Sequence, residues 1–157
     1  MAKMLSATVI YASLTGNNAE IATFITNYLI KQAVQTKMID MLQADLDEIT
    51  DRNILVVVPY TYGSGDLPPE GLAVYDDVHQ TDLNQLTYGV VGSGDRLYGA
   101  DFCRAVTIFD AALAHAGANR GADPLFVDLQ PDIKDQAAIS TFVDQIIQQT
   151  TMRAKQS

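Results

Sequence analysis

The 157 residues are 48% hydrophobic and 18% charged, with a net charge of −9 and a single cysteine. That length suits one domain with its own core and leaves no room for two of ordinary size. No apolar run approaches the roughly 20 residues of a membrane-spanning helix, and the first residues lack a hydrophobic leader with a cleavage site. A lone cysteine makes no internal disulfide, so a soluble, cytoplasmic chain is expected. Residues 40–82 hold ten carboxylates against Arg52, and that window carries the whole net charge. A field of this sign repels nucleic acid and suits a basic protein partner, although acidic loops also serve plain solubility.

In chain order, Leu5 to Tyr11 ends in Val9-Ile10-Tyr11 and reads as a buried strand. After a polar turn, Ile21, Phe24, Ile25, Tyr28 and Leu29 recur at helical spacing, predicting a helix over about 18–34. Thr36 to Met41 alternates weakly, as at a sheet edge. Ile54 to Val58 is five consecutive aliphatics, which suits a central parallel strand covered on both faces. A loop at 60–69 leads to a helix over about 70–79, then a strand at Tyr88 to Gly92 and a second loop from Ser93. Phe102, Ala105, Val106, Phe109, Ala112, Leu113 and Ala116 make a helical stripe that stops near Gly117. Leu125 to Val127 reads as the last strand, and Ile139, Phe142, Val143, Ile146 and Ile147 as the last helical stripe. Residues 1–150 are therefore expected to form one domain, with 151–157 a frayed tail.

Strand alternating with helix five times implies a three-layer α/β domain with a five-stranded parallel sheet and helices on both faces. Ligands of such sheets bind at the carboxyl ends of the strands. Three of those ends are polar and glycine-rich here: 13–18, 60–69 and 93–101.

The first of these runs Ser13-Leu14-Thr15-Gly16-Asn17-Asn18 into the amino end of a helix. Helix amino ends bind phosphate through free N–H groups without a basic side chain, and Gly16 lets the backbone wrap an anion. The segment is neither a P-loop nor a dinucleotide fingerprint; a plain capped helix is the simpler alternative. The other two loops each set a tyrosine among glycine and aspartate: Tyr60-Thr61-Tyr62-Gly63-Ser64-Gly65-Asp66 and Ser93-Gly94-Asp95-Arg96-Leu97-Tyr98. Two aromatics on neighbouring strand ends can sandwich a flat ring, or can simply pack on each other. An anion cradle and two aromatic loops on one sheet edge together suit a phosphorylated planar heterocycle.

Val9-Ile10-Tyr11-Ala12-Ser13-Leu14-Thr15-Gly16-Asn17 resembles the flavodoxin signature, in which a strand runs into S/T-x-T-G-N-T. Thr61-Tyr62-Gly63-Ser64-Gly65-Asp66-Leu67-Pro68 and Gly92-Ser93-Gly94-Asp95-Arg96-Leu97-Tyr98, followed by Phe102-Cys103, are similar to that family's other two loops. The resemblance extends over nearly the whole chain. It implies a flavodoxin-like fold with strand order 2-1-3-4-5. The long form of the family carries an insertion within its last strand; the short run from Leu125 to the final helix looks like the short form.

The resemblance further implies a non-covalently bound flavin mononucleotide (FMN) and one-electron transfer at low potential, between semiquinone and hydroquinone. Ser13, Leu14, Thr15, Gly16, Asn17 and Asn18 would hold the phosphate. Tyr98 would stack on the outer flavin face and Tyr62 cover the inner one, with the Gly63 carbonyl toward flavin N5. Asp95 and its neighbours Ser93 and Gly94 would reach the pyrimidine edge; Tyr60, Thr61 and Cys103 would line the pocket. Asn18 and Tyr62 depart from the family's usual threonine and tryptophan. A monomeric carrier serving a basic reductase and basic acceptor enzymes is expected, with no nucleic-acid or membrane partner.

The rival reading in the same fold is an FMN enzyme, such as a quinone reductase or a ribonucleotide-reductase activator. A response-regulator receiver is a further rival, but the strand ends Ala12-Ser13, Pro59-Tyr60 and Asp128-Leu129 lack its acids and lysine. His79 and His115 have no second ligand at metal spacing, so no metal is expected.

Overall fold

The computed structural model describes residues 5–12, 17–43, 49–50, 52–59, 75–76, 78, 81–94, 104–128 and 133–156. Its strands are β1 (Ser6–Tyr11), β2 (Gln35–Asp40), β3 (Ile54–Val58), β4 (Thr87–Gly94), β5 (Asn119–Arg120) and β6 (Leu125–Asp128). Its helices include α1 (Asn17–Lys31), α2 (Arg104–His115) and α3 (Ile133–Gln156), and residues 75, 76 and 78 are helical as well. Among the described residues no helix is long and apolar enough to cross a membrane.

The sheet runs β2-β1-β3-β4-β5, every pairing parallel. Five strand positions in the order 2-1-3-4-5 are as expected, but the fifth is filled in two pieces. Tyr88 faces Arg120 and Val91 faces Leu125, so two more residues lie between the paired positions on the edge than on β4. Gly121 N–H still donates to Tyr88 O at 2.8 Å, and Ala122 to Pro124 step out of the ladder after it.

Burial explains the composition of each strand. All five residues of β3 are buried. Leu55 and Val57 join Ile10, Tyr88 and Val90 under Val106, Phe109 and Leu113 of α2. Ile54, Val56 and Val58 join Val9 and Val91 under Ile21, Ile25 and Leu29 of α1 and Ile139, Phe142, Val143 and Ile146 of α3. Both faces of β3 meet helices, which is why no polar residue alternates within it. Each such aliphatic contributes about 1.5–3 kcal/mol by burial. β2, at the edge, exposes Gln35, Lys37 and Met38 and alternates poorly.

The ends of α1 and α2 share one mechanism. At α1, Ala33 N–H donates to Ile30 O and Val34 N–H to Leu29 O; at α2, Gly117 donates to Ala114 O and Ala118 to Leu113 O. Both are Schellman closures, with Ala33 at φ +65° and Gly117 at φ +90°. Helix α1 therefore ends three residues earlier than the apolar pattern suggests.

The structure departs from the sequence reading at two further places. Ser93 and Gly94 stay in the ladder, paired with Val127 and Asp128, where a loop is expected from their composition. α3 continues through Gln156, past the point where fraying is expected, because Arg153 reaches back to the sheet. Its Nη1 donates to Thr87 Oγ1 at 2.7 Å and its Nη2 to Asn84 O at 3.1 Å.

Candidate functional site

The two ends of the sheet are finished differently. At the amino end, side chains close the backbone. Asn53 Oδ1 accepts from Ser6 N–H at 3.0 Å and from its hydroxyl at 3.3 Å. Asn119 Nδ2 donates to Asn84 O and Leu86 O at 2.9 and 3.2 Å, and Arg153 completes the same corner. Polar groups at this end are spent on the fold itself.

At the carboxyl end, β1, β3 and β4 are adjacent and finish side by side. Tyr11 is level with Val58, and Ala12 N–H donates to Val58 O at 3.0 Å. Val57 is level with Val90, and β4 runs on to Gly94. The three segments singled out in the sequence leave from these three ends, so the topology brings them to one edge about 10 Å wide, two strand spacings.

The described backbone places four of the expected site residues. Asn17 and Asn18 open α1, so the amino end of that helix stands at this edge. Ser93 and Gly94 close β4. Ser13, Leu14, Thr15, Gly16, Tyr60, Thr61, Tyr62, Gly63, Asp95, Tyr98 and Cys103 lie outside the described residues, as does most of the expected helix at 70–79. Among the described residues no group of acids, histidines or cysteines could hold a metal.

What is placed fits a phosphorylated flat ring. A helix amino end presents free N–H groups and a partial positive charge, and no lysine or arginine in 13–18 competes for the anion. On the α2 face of the same edge the backbone is closely crowded. A Cβ on Gly92 would lie 2.5 Å from the Pro59 carbonyl oxygen and 2.8 Å from Val106 Cγ2. The strand that feeds the third loop therefore touches the residue just before the second. Gly92 and Pro59 are not among the expected site residues; a glycine within a strand is the available signal for close backbone approach.

Below the site, α2 is tied to the sheet through the buried Tyr88 and Asp110 and the half-exposed Arg120. The Tyr88 hydroxyl donates to Asp110 O at 3.2 Å. Arg120 Nε donates to Asp110 Oδ1 at 3.2 Å and Nη2 to Asp110 Oδ2. Burial drives the Tyr88 pKa above its ordinary value, partly offset by the Arg120 guanidinium. Arg120 is itself pushed up by its bonds to Tyr88 and Asp110. On the opposite face the Tyr28 hydroxyl donates to Asp144 Oδ1 at 2.8 Å, which joins α1 to α3 and raises the Tyr28 pKa.

Known proteins share both the sequence and the fold. The family model for flavodoxin matches residues 9–140. Probable flavodoxin 1 of Bacillus subtilis is 33% identical over 129 residues, covering 82% of this chain and 81% of that protein. A solved short-chain flavodoxin associated with a bacterial microcompartment is 39% identical, with a TM-score of 0.92 over 94% of this chain and 99% of the other. The flavodoxin of Streptococcus pneumonia TIGR4 is 33% identical, with a TM-score of 0.88 over 92% and 99%. The motifs, the strand order and these relatives agree, and the chain belongs to the flavodoxin family of FMN-binding electron-transfer proteins, which are not enzymes.

Proposed function

We propose that this chain is a low-potential one-electron carrier, receiving electrons from a reductase and passing them to acceptor enzymes as a cytoplasmic monomer folded as one domain. The observation that carries the reading is the convergence of the α1 amino end with the ends of β3 and β4 on one sheet edge. FMN supplies the redox chemistry when bound. The chain's own residues bind and orient it: Ser13, Thr15, Asn17 and Asn18 hold the phosphate together with the N–H groups of 13–18. Leu14 and Gly16 shape that turn. Tyr98 covers one face of the ring, and Tyr62 the other. Gly63 presents its carbonyl to the ring edge, and Asp95, Ser93 and Gly94 meet its polar rim. Tyr60, Thr61 and Cys103 fill the walls.

The surrounding charge sets the working potential. Added electrons meet the field of the acids in 40–82 and an apolar stack, both of which disfavour a more negative ring. About 1.4 kcal/mol of such disfavour lowers a one-electron potential by about 59 mV. The same acids attract a basic partner surface and repel nucleic acid and anionic membrane surfaces. Stepwise reduction of the FMN-loaded protein, with both potentials determined by dye equilibration, tests the reading. Two resolved one-electron steps, the second at much lower potential than for free FMN, are expected; a single two-electron step would refute a carrier role.

A further inference from the structure

We infer that Gly92 is a positioning residue for the cofactor. Its missing side chain lets the Pro59 carbonyl seat against β4, and this seat sets the separation of the two tyrosine-bearing loops that leave β3 and β4. The inference rests on the reading that those loops hold the ring.

Position 92 lies on the face of β4 that carries Tyr88 and Val90, both fully buried under α2. Gly92 interrupts that inward series two residues before the strand ends. Its backbone has no positive φ, so alanine is conformationally acceptable there and the requirement for glycine is one of space. The nearest atom to a Cβ at 92 is backbone, the Pro59 oxygen at 2.5 Å, with Pro59 Cδ at an ordinary 3.5 Å. Gly89 is also crowded, but by the side chains of Ile146 and Phe142, at 2.4 and 2.6 Å on the other face.

A side chain can turn aside; a carbonyl in the chain that opens a loop can move only by taking the loop with it. A carbon and a carbonyl oxygen ordinarily approach to about 3.3 Å. Alanine at 92 would therefore force the strands' ends apart by roughly 0.8 Å, beyond the tolerance of about 0.5 Å within which a binding constellation keeps its geometry. Pro59 is buried and its own φ is held by its ring, so the seat is stiff on both sides.

The test titrates FMN into FMN-free protein, following quenching of flavin fluorescence, with urea unfolding of the FMN-free form alongside. Gly92→Ala should weaken FMN binding about tenfold and shift the potential of the second one-electron step. Gly92→Ala combined with Val106→Ala relieves the side-chain contact but not the carbonyl contact. Because the Pro59 carbonyl is still displaced, the double variant should leave FMN affinity low. Gly89→Ala should lower stability and leave the affinity of the folded protein unchanged. If Gly92→Ala does not fold, Pro59→Ala decides: it adds no heavy atom, only an amide hydrogen, loosens the seat, and should weaken FMN about threefold with a modest loss of stability. Unchanged affinity in Gly92→Ala or Pro59→Ala overturns the inference, as does full recovery of affinity in the double variant or an equal loss in Gly89→Ala. A wild-type protein that bound no FMN would instead remove the underlying cofactor reading, and the inference with it.

Discussion

Replacing Arg120 by methionine removes the guanidinium from Asp110 while keeping an unbranched side chain over the same surface. The Asp110 side chain is only 9% exposed and Arg120 is 46% exposed. The carboxylate is thus left in low dielectric while the lost partner was partly hydrated. Stripping one partner from a fully buried pair costs about 3–5 kcal/mol, and breaking an exposed pair about 0–1 kcal/mol. This pair lies between those limits, so we expect a loss of about 2 kcal/mol. With a urea m-value of about 2 kcal/mol per molar for a chain of this size, the unfolding midpoint of the FMN-free protein should fall by roughly 1 M. Removing both charges, Arg120→Met with Asp110→Leu, should recover at least half of that loss, because no uncompensated charge then remains buried. The assay is far-UV circular dichroism against urea for the wild type, each single variant and the double. A shift below about 0.3 M, or a double variant no more stable than Arg120→Met, would refute the account of Asp110 as a desolvated carboxylate.

Other consequences are equally direct. Ala33→Gly should stabilise the protein by about 0.5–1 kcal/mol, the left-handed penalty of about 1–2 kcal/mol less glycine's entropy of about 0.5–1 kcal/mol. Thermal unfolding should rise by a few degrees, and an unchanged midpoint would count against the positive φ. Because the folded Tyr88 pKa is raised, its contribution is complete below about pH 10, the unfolded value, and is lost as pH climbs toward the folded value. Tyr88→Phe should cost about 1 kcal/mol at pH 7 from the lost bond to Asp110 O, yet lose stability less steeply above pH 10. Parallel alkaline slopes in the two proteins would contradict this. Electron transfer to a basic reductase should slow as salt is raised from low ionic strength, since charge of this kind acts mainly on encounter; salt-independent rates would reject acidic docking.

Legibility in the sequence followed the number of independent signals at each position. β3 was plain because both of its faces are covered, so its composition admits little else. The end of α2 was marked by Gly117, whereas the identical closure of α1 uses Ala33 and carries no compositional mark. β5 could not be read at all: Asn119-Arg120 is two polar residues, held by pairing with Thr87 and Tyr88. Ser93 and Gly94 look like loop, and only their register with β6 keeps them extended. Of the site, its place at the carboxyl edge followed from strand-helix alternation. The role of Gly92 did not, because its meaning depends on Pro59, a contact that only the folded sheet creates.

The break between β5 and β6 also has a meaning for how such domains can grow. Past Gly121, whose N–H still donates to Tyr88 O at 2.8 Å, the edge leaves its ladder with β4 until Leu125, so residues added beyond that bond would leave it intact. The first half of the break is unavailable. Gly121 sits where a Cβ would come within 3.0 Å of the Ile146 Cα, and Ala122 is buried. Asp123, by contrast, is exposed. Lengthening at Asp123 would lead new chain into solvent with its two stems already anchored, where insertions are tolerated best. A short chain of this construction thus holds in advance the opening through which a longer last strand could be acquired without refolding the sheet.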